Sequence, residues 1–484
     1  MLLNRLLDGW LELPPGFNPD IGALSTSSQQ LGPDTLWLAP RGLGHHALDY
    51  HRPELRPAAI VYEPPYAHPP AGALALPHLS AHIGAIAARF YGQPGEALRL
   101  VGITGTDGKS SLVYLLAEAL PDCAMLGTIG YGPLGDLRPA SHTTPEALRV
   151  QQELKRFVDA GLQVAALEVS SHALVQNRVA AVPFDIGVFS NLSRDHLDYH
   201  PDMEAYFQAK ATLFHRPLKT AIINGDDAAG RRLLAEGHIQ PGTAVIVVSS
   251  RDAAPVPNTR RLAASAIELL PAGLRFTLSD SATGRSASVA SPLLARFNVD
   301  NLLNVAACLL ALGLDFDTVV AKLAGLHGVV GRAEALPLAG GGVAIIDYAH
   351  TPNALENILR GIRPHVAGRL LCVFGCGGDR DPGKRPLMGA VAVAEADGVI
   401  LTDDNPRHED PAAIIAAIAA DLDPKRFTVI QPREQAIRFA LDQLRPGDAV
   451  VIAGKGHEDY QIIGSERHYF SDRAVVEAYD AQRR

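Results

Sequence analysis

From Leu98 onward the chain alternates short, wholly apolar runs with stretches of helical period. A run apolar on every residue has no polar face to turn to water. It belongs in a sheet covered on both sides, with the intervening helices as the covers. The pattern predicts buried strands over Leu98–Thr104, Val164–Ser170, Phe184–Asn191 and Thr220–Asn224, and helices over Lys109–Leu120, Pro145–Ala160 and Met203–Phe214. Residues 240–290 read as an antiparallel appendage with turns at Pro271-Ala-Gly273 and Ala282-Thr-Gly284, followed by a helix near Val299–Leu312. Ala339-Gly-Gly-Gly342 marks a restart. Beyond it, strand-like runs Val343–Tyr348, Arg369–Phe374, Gly398–Thr402 and Asp448–Ala453 alternate with helical segments Pro352–Ile362, Arg385–Ala396, Pro411–Leu422 and Glu434–Leu444, a second Rossmann-like unit.

The fold class is therefore α/β. At roughly 150 residues per domain, 484 residues suggest three: a small mixed α/β domain over 1–97 with runs at Thr35–Ala39 and Ala58–Tyr62, a central P-loop ATPase-like parallel-sheet domain over 98–328, and a Rossmann-like domain over 329–484. The opening Met1–Gly16 reads as a short amphipathic helix and not a signal peptide, since it carries Asp8 and Glu12. A net charge of −9 offers no basic face for nucleic acid. No apolar run is long enough to span a bilayer. Four cysteines (Cys123, Cys308, Cys372, Cys376) are too few for a disulfide scaffold; buried thiols are the simple reading, against a zinc site at the last two. A cytoplasmic enzyme is the leading class.

Strand Leu98–Thr104 runs into Gly105-Thr-Asp-Gly-Lys-Ser110 and then a helix. Glycines let the backbone amides turn toward an anion, and the helix N-terminus adds partial positive charge. Lys109 can reach the β- and γ-phosphates and Ser110 can ligate Mg²⁺. The usual P-loop spacing fails by one place, with Gly102 one residue early; the bland alternative is a glycine turn that binds nothing. No guanine-reading Asn-Lys-x-Asp segment and no kinase motif pair accompanies it.

Glu168 closes the strand at 164–170, followed by Ser170, Ser171 and His172, and the next strand ends in Asn191-Leu-Ser-Arg-Asp-His-Leu-Asp198. Glu168 and His196 are candidate Mg²⁺ ligands beside the phosphate loop. Alternatively, Asp195 and Asp198 cap a helix and His196 is a surface residue. Lys210, taken alone, reads as an ordinary solvated lysine. Three further loops follow C-terminal strands: Gly375-Cys-Gly-Gly-Asp-Arg-Asp381, Thr402-Asp-Asp-Asn-Pro-Arg407 and Gly454-Lys-Gly-His-Glu-Asp-Tyr460. They converge on the carboxyl edge of one sheet, where open α/β sheets bind ligands. Arg380 and Arg407 can grip carboxylates and Glu458 an ammonium, a clamp for a zwitterionic amino acid. The competing reading is three solvated charged loops.

The stretch Gly102–Ser110, Glu168-Val-Ser-Ser-His172, Asn191–His200 and Ala209-Lys210 together resemble the Mur ligase family of peptidoglycan synthesis, densely over 98–484 and loosely over 1–97. Within it, the likeness is to the branch that adds the third residue to a UDP-linked muramoyl dipeptide. The resemblance implies an ATP-dependent acid–amino-acid ligase using Mg²⁺, monomeric and cytoplasmic, with no nucleic acid or membrane partner. It implies that Lys109, Lys210 and His196 serve catalysis, and that Gly105, Thr106, Asp107, Gly108, Lys109, Ser110, Ser111, Asn301, Arg332 and Asp347 surround ATP. Ser110, Glu168, His196 and Lys210, the last as a carbamate, would hold metal. The UDP-muramoyl substrate would meet Ser28, His142, Thr143, Thr144, Ser170, Gln176 and Arg178. Arg380, Asp404, Asn405, Pro406, Arg407, Gly454 and Glu458 would hold the amino acid, with Asp404-Asn-Pro-Arg407 matching the signature for meso-2,6-diaminopimelate; its second carboxylate needs a cation that lysine would not.

Three segments depart from the pattern. The family's Asp-Ser-Arg near the uridine is Ser27-Ser-Gln29 here, its Asn-Thr-Thr-Pro is His142-Thr-Thr-Pro145, and Asp107 stands where Asn is usual. A paralogue acting on another carboxylate acceptor, of the folylpolyglutamate or cyanophycin type, and a non-catalytic nucleotide-binding scaffold are the competing expectations. The scaffold predicts loss of a metal-site residue, yet Lys109, Glu168, His196 and Lys210 are all present.

Overall fold

The apolar runs become strands in the computed structural model, which describes residues 1–484 apart from 43, 53, 198, 252, 253 and 484. Two compact units emerge, one mainly of residues 1–248 and the other mainly of 261–306 and 314–484.

The first unit opens with the parallel strands Ala23–Ser25, Thr35–Ala39, Ala59–Tyr62 and Leu74–Ala75 in chain order. Helix Leu79–Phe90 packs Ile83, Ile86 and Ala87 into their core, together with Leu36, Leu38 and Val61. Ala147 and Leu148 of helix Ala147–Asp159 join the same core, so this sheet shares its packing with the next. The N-terminal helix spans only Leu3–Leu6, shorter than the amphipathic pattern predicts. Gly9 and the Pro14-Pro15 pair end its continuation.

The larger sheet of this unit runs Ala244–Ser249, Thr220–Asn224, Ile186–Phe189, Arg99–Thr104, Val164–Glu168, Cys123–Gly127, Gly130–Pro133. All strands are parallel except the last, which closes a hairpin. Central strand Arg99–Thr104 lies between Val164–Glu168 and Ile186–Phe189, so three strand ends meet where the chain switches sides. The expected antiparallel appendage begins later than 240. Ala244–Ser249 is apolar without alternation and pairs parallel to Thr220–Asn224.

In the second unit, Arg260–Leu270, Gly273–Asp280 and Arg285–Ser291 form the antiparallel meander. The six-stranded sheet is ordered Glu334–Pro337, Val343–Asp347, Ala449–Ala453, Leu370–Phe374, Gly398–Leu401, Phe427–Val429, with only the first antiparallel. Leu355, Ile358 and Leu359, Met388, and Ile414 and Ile418 cover one face, while Ile437, Leu441 and Val476 cover the other. Buried His365 accepts the Ala295 N–H at 2.8 Å and faces the Leu270 carbonyl at 2.7 Å, tying the meander to this sheet. Among the described residues no helix is long and apolar enough to cross a membrane.

Candidate active site

At the end of Arg99–Thr104 the backbone turns through Gly105 at φ +149°. A Cβ there would sit 1.9 Å from the Ser190 hydroxyl, so only glycine fits. The neighbouring strand clamps the loop. Ser190 donates to the Asp107 carbonyl at 2.7 Å, the Asp107 N–H donates to Asn191 Oδ1 at 2.9 Å, and the Thr106 N–H donates to the Asn191 carbonyl at 3.0 Å. Helix Lys109–Ala119 then starts with its N-terminus on the loop.

Lys109 Nζ curls back and donates to the carbonyls of Gly105 (2.8 Å) and Thr106 (2.7 Å). Burial lowers its pKa, opposed by Glu168, Asp107 and Asp195. Lys210 reaches the same place from helix Met203–Ala211. Its Nζ donates to the Gly105 carbonyl at 2.7 Å and lies 4.5 Å from the centre of the Tyr206 ring. Lys210 is 1% exposed, and burial plus the neighbouring Lys109 pull its pKa down to about 6. The solvated-lysine reading of this position is therefore wrong. Its helix turns it inward, a fact that local sequence does not carry.

Ser110 Oγ donates to Glu168 Oε2 at 3.0 Å, and Glu168 Oε1 accepts the Thr128 N–H at 2.7 Å. Thr144 Oγ1 donates to the Glu168 carbonyl at 2.7 Å and accepts the Ser170 N–H at 3.1 Å. Ser170 caps helix Ser171–Val175. Arg178 donates to the Thr144 carbonyl (2.8 Å) and to Gln176 Oε1 (2.6 Å), while Gln176 donates to Tyr199 Oη (3.0 Å). Thr144, Ser170, Gln176 and Arg178 thus form one bonded group beside Glu168. Thr143 accepts from Thr128 Oγ1 at 3.1 Å, and His142 is exposed. Ser28 sits on the loop after Ala23–Ser25, where Thr26 donates to Glu146 at 3.4 Å. His196 stands at the rim with φ +54°, 3.4 Å from Asp195, its ring 5.9 Å from that of Tyr206. Asp198 lies outside the described residues.

The donor set suits a small hard cation next to phosphates: a serine hydroxyl on a buried carboxylate, with a neutral amine nearby. Among the described residues no group of three or more His, Cys, Asp and Glu side chains could hold a metal unaided.

In the second unit, Asp347 ends strand Val343–Asp347 and accepts the N–H groups of Ala333 (2.7 Å) and Ala349 (2.8 Å). Burial raises its pKa, partly offset by these amides and by Arg332. Asn301 bonds to Asn298 within its own helix (2.8 Å) and to neither Arg332 nor Asp347.

The three C-terminal loops do converge. Asn405 donates to Glu458 Oε2 (3.0 Å) and accepts from Lys455 Nζ (3.2 Å) and the Ile462 N–H (3.0 Å). Lys455, fully buried, also donates to Glu458 at 3.1 Å. Asp404 is buried, and burial raises its pKa. It lies so near Gly454 that a Cβ there would be 2.5 Å from Oδ2. Pro406 is buried beside them. Arg407, at φ +52°, donates to the Gly378 carbonyl at 2.7 Å. A Cβ on Gly377 would meet Arg407 at 2.9 Å and Arg380 at 3.7 Å, so both arginines flank that glycine. Arg380 is exposed and makes no hydrogen bond among the described residues.

Sequence reading missed Thr128, Lys455 and Arg433. The last is buried, pairs with Asp472 through two 2.8 Å bonds, and donates to the carbonyls of Asp403 (3.1 Å) and Ala453 (2.9 Å). It fastens two of the three loops at their roots. A buried arginine in a polar segment carries no local signal. The four cysteines are buried and free, as the simple reading had it.

Comparison with known proteins gives the family. Residues 103–309 match the Mur ligase middle domain and residues 331–456 match the Mur ligase, glutamate ligase domain. The UDP-N-acetylmuramoyl-L-alanyl-D-glutamate--2,6-diaminopimelate ligase of Alkalilimnicola ehrlichii is 43% identical, over 99% of this chain and 98% of its own. That of Pseudomonas aeruginosa is 46% identical, over 86% and 85%. A solved structure of a ligase of the same name is 35% identical and covers 100% of this chain and 99% of its own, at a TM-score of 0.76. Mycobacterium tuberculosis folylpolyglutamate synthase shares the fold at 18% identity, with a TM-score of 0.57 over 77% of this chain and 92% of its own. These matches span nearly the whole chain and place it in a known group of enzymes: this chain belongs to the Mur ligase family.

Proposed function

We propose that the chain is the ATP-dependent ligase that joins meso-2,6-diaminopimelate to UDP-N-acetylmuramoyl-L-alanyl-D-glutamate, with release of ADP and phosphate, in the cytoplasm and as a monomer. The observation that carries the choice of amino acid is the pair Arg380 and Arg407 flanking Gly377, beside the Asn405–Glu458–Lys455 network. Diaminopimelate presents two carboxylates and two ammonium groups, and the cluster offers two guanidiniums and an anionic, amide-lined patch. The names of the relatives support the same reading.

The loop amides, the helix N-terminus and Lys109 bind the β- and γ-phosphates; Lys109 exchanges two carbonyl partners for phosphate oxygens. Mg²⁺ would be held by Ser110, Glu168, His196 and Lys210 as its carbamate, and would neutralise phosphate charge. Thr143, Thr144, Ser170, Gln176 and Arg178 orient the muramoyl dipeptide, with Ser28 and His142 at the same substrate. Its carboxylate oxygen attacks the γ-phosphorus and the bond to ADP breaks, leaving an acyl phosphate. The amine then attacks the acyl carbon, phosphate leaves, and the nitrogen loses its proton. Orientation of the reactants supplies much of the rate. Gly105 to Ser111, with Asn301, Arg332 and Asp347, are the proposed ATP contacts. Residues 1–97, 98–328 and 329–484 are the proposed substrate, ATP and amino-acid domains.

ADP release, measured with the UDP-muramoyl dipeptide plus diaminopimelate, plus lysine, or with no amino acid, tests the reading. Release with diaminopimelate alone is expected. Release only with lysine would overturn the role of Arg407, and none in any mixture would point to a scaffold.

A further inference from the structure

A lysine side chain is almost never fully buried unless its charge is paired. Lys455 is fully buried, and it is not among the amino-acid contacts assigned above. It sits in the loop after strand Ala449–Ala453. The Glu458 N–H donates to the Lys455 carbonyl at 2.9 Å, a turn that brings the two side chains together. Lys455 Nζ donates to Glu458 Oε2 at 3.1 Å and to Asn405 Oδ1 at 3.2 Å. Buried Asp404 is a second carboxylate whose charged form Lys455 favours.

These bonds leave the cluster one arrangement. An ammonium and a backbone N–H only donate, so the Asn405 amide turns its oxygen to Lys455 and to the Ile462 N–H, at 3.0 Å. Its Nδ2 is thereby directed to Glu458 Oε2, also at 3.0 Å. Oε2 then has two donors. Oε1 has a single longer bond, at 3.3 Å, from the Tyr460 hydroxyl. A carboxylate oxygen accepts about two hydrogen bonds, so Oε1 keeps a place for a further donor. The Glu458 side chain is 14% exposed and that of Lys455 0%, so a ligand among these loops meets Glu458 and not Lys455.

We propose that Lys455 is a positioning residue that makes the site selective for an amino acid with a second amino group: it fixes Oε2 of Glu458, directly and through Asn405, and so presents Oε1 to the substrate's second ammonium. This inference rests on the ligase reading and deepens it. The ammonium held by Glu458 stays protonated and is not the amine that attacks. Loss of Lys455 therefore falls on the choice between substrates. A site built to hydrogen-bond a substrate group rejects the analogue that lacks it, because its own polar group is then left unpaired.

The test compares kcat/KM for diaminopimelate with that for 2-aminopimelate, which lacks the second amino group, in ADP release by the full chain. Their ratio in one preparation does not depend on how much of the protein is folded. The unsubstituted chain should prefer diaminopimelate at least tenfold. Glu458→Gln and Lys455→Met should each bring that preference below threefold, with the KM for ATP within twofold of the parent. Because Lys455 acts through Glu458, the double variant Lys455→Met with Glu458→Gln should have a KM for diaminopimelate within threefold of Glu458→Gln alone. If Lys455→Met does not fold, this double variant, which removes both charges, decides. A Lys455→Met chain that keeps the full preference, or a double variant whose KM is tenfold above that of Glu458→Gln, would overturn the role of Lys455 and leave the ligase reading intact. A parent that does not distinguish the two amino acids would overturn it as well. A parent that releases no ADP with diaminopimelate would overturn both.

Discussion

Lys109 and Lys210 donate to one carbonyl oxygen, that of Gly105, and two ammonium groups so placed repel each other. With a pKa of about 6, Lys210 is mostly a neutral amine at pH 7, the form that can add carbon dioxide and become a carboxylate ligand. Lys210→Ala should lower ADP release at least a thousandfold while leaving the far-UV circular dichroism unchanged. ¹³C-bicarbonate should give a carbamate resonance in the unsubstituted chain and none in the variant. The same pKa has a stability consequence. The unfolded lysine titrates near 10.4, so between about pH 6 and that value the unfolded chain holds the extra proton, and folding stability rises with pH. Lys210→Met abolishes this contribution. Its thermal midpoint should exceed that of the unmodified parent by a few degrees near pH 6, and the gap should close toward pH 10. At the second cluster, Arg407→Ala should raise the KM for diaminopimelate about 10–100-fold, the worth of a charge-assisted hydrogen bond. The KM for ATP should stay where it was, and steady-state kinetics reads both.

Elements place these residues, and the places where they are tied together are specific. Arg433 joins the ends of Gly398–Leu401 and Ala449–Ala453 to helix Asp472–Ala481 through Asp472. Arg433→Met alone leaves a buried carboxylate unpaired and should cost about 3–5 kcal/mol, read from the urea midpoint. Arg433→Met with Asp472→Leu replaces both charges by apolar groups and should recover most of that loss. In the first unit the phosphate loop owes its shape to Ser190 and Asn191 at the end of Ile186–Phe189. A parallel sheet explains why residues some 85 positions apart are adjacent: each strand delivers its carboxyl end to the same edge.

At the scale of the whole molecule, ligand binding should stabilise the folded chain by mass action. ADP with Mg²⁺ is expected to raise the calorimetric midpoint of the parent, and Lys109→Ala to cancel that rise while leaving the unliganded midpoint within a few degrees. What could be read along the chain was whatever is encoded locally. Runs such as Thr220–Asn224 and helices such as Pro352–Ile362 appear with the boundaries that apolar periodicity predicts, because burial on both faces or along one stripe leaves a repeating mark. Glycines at 105 and 108 and the loops ending in Arg380, Arg407 and Glu458 were legible because a turn at a strand end requires particular residue types. The parallel pairing of Ala244–Ser249, the inward face of Lys210 and the buried Arg433–Asp472 pair were decided only by the tertiary structure. Each depends on what packs against a residue from a distant part of the chain, and a free energy set by burial and by a remote partner leaves no trace in the residues on either side.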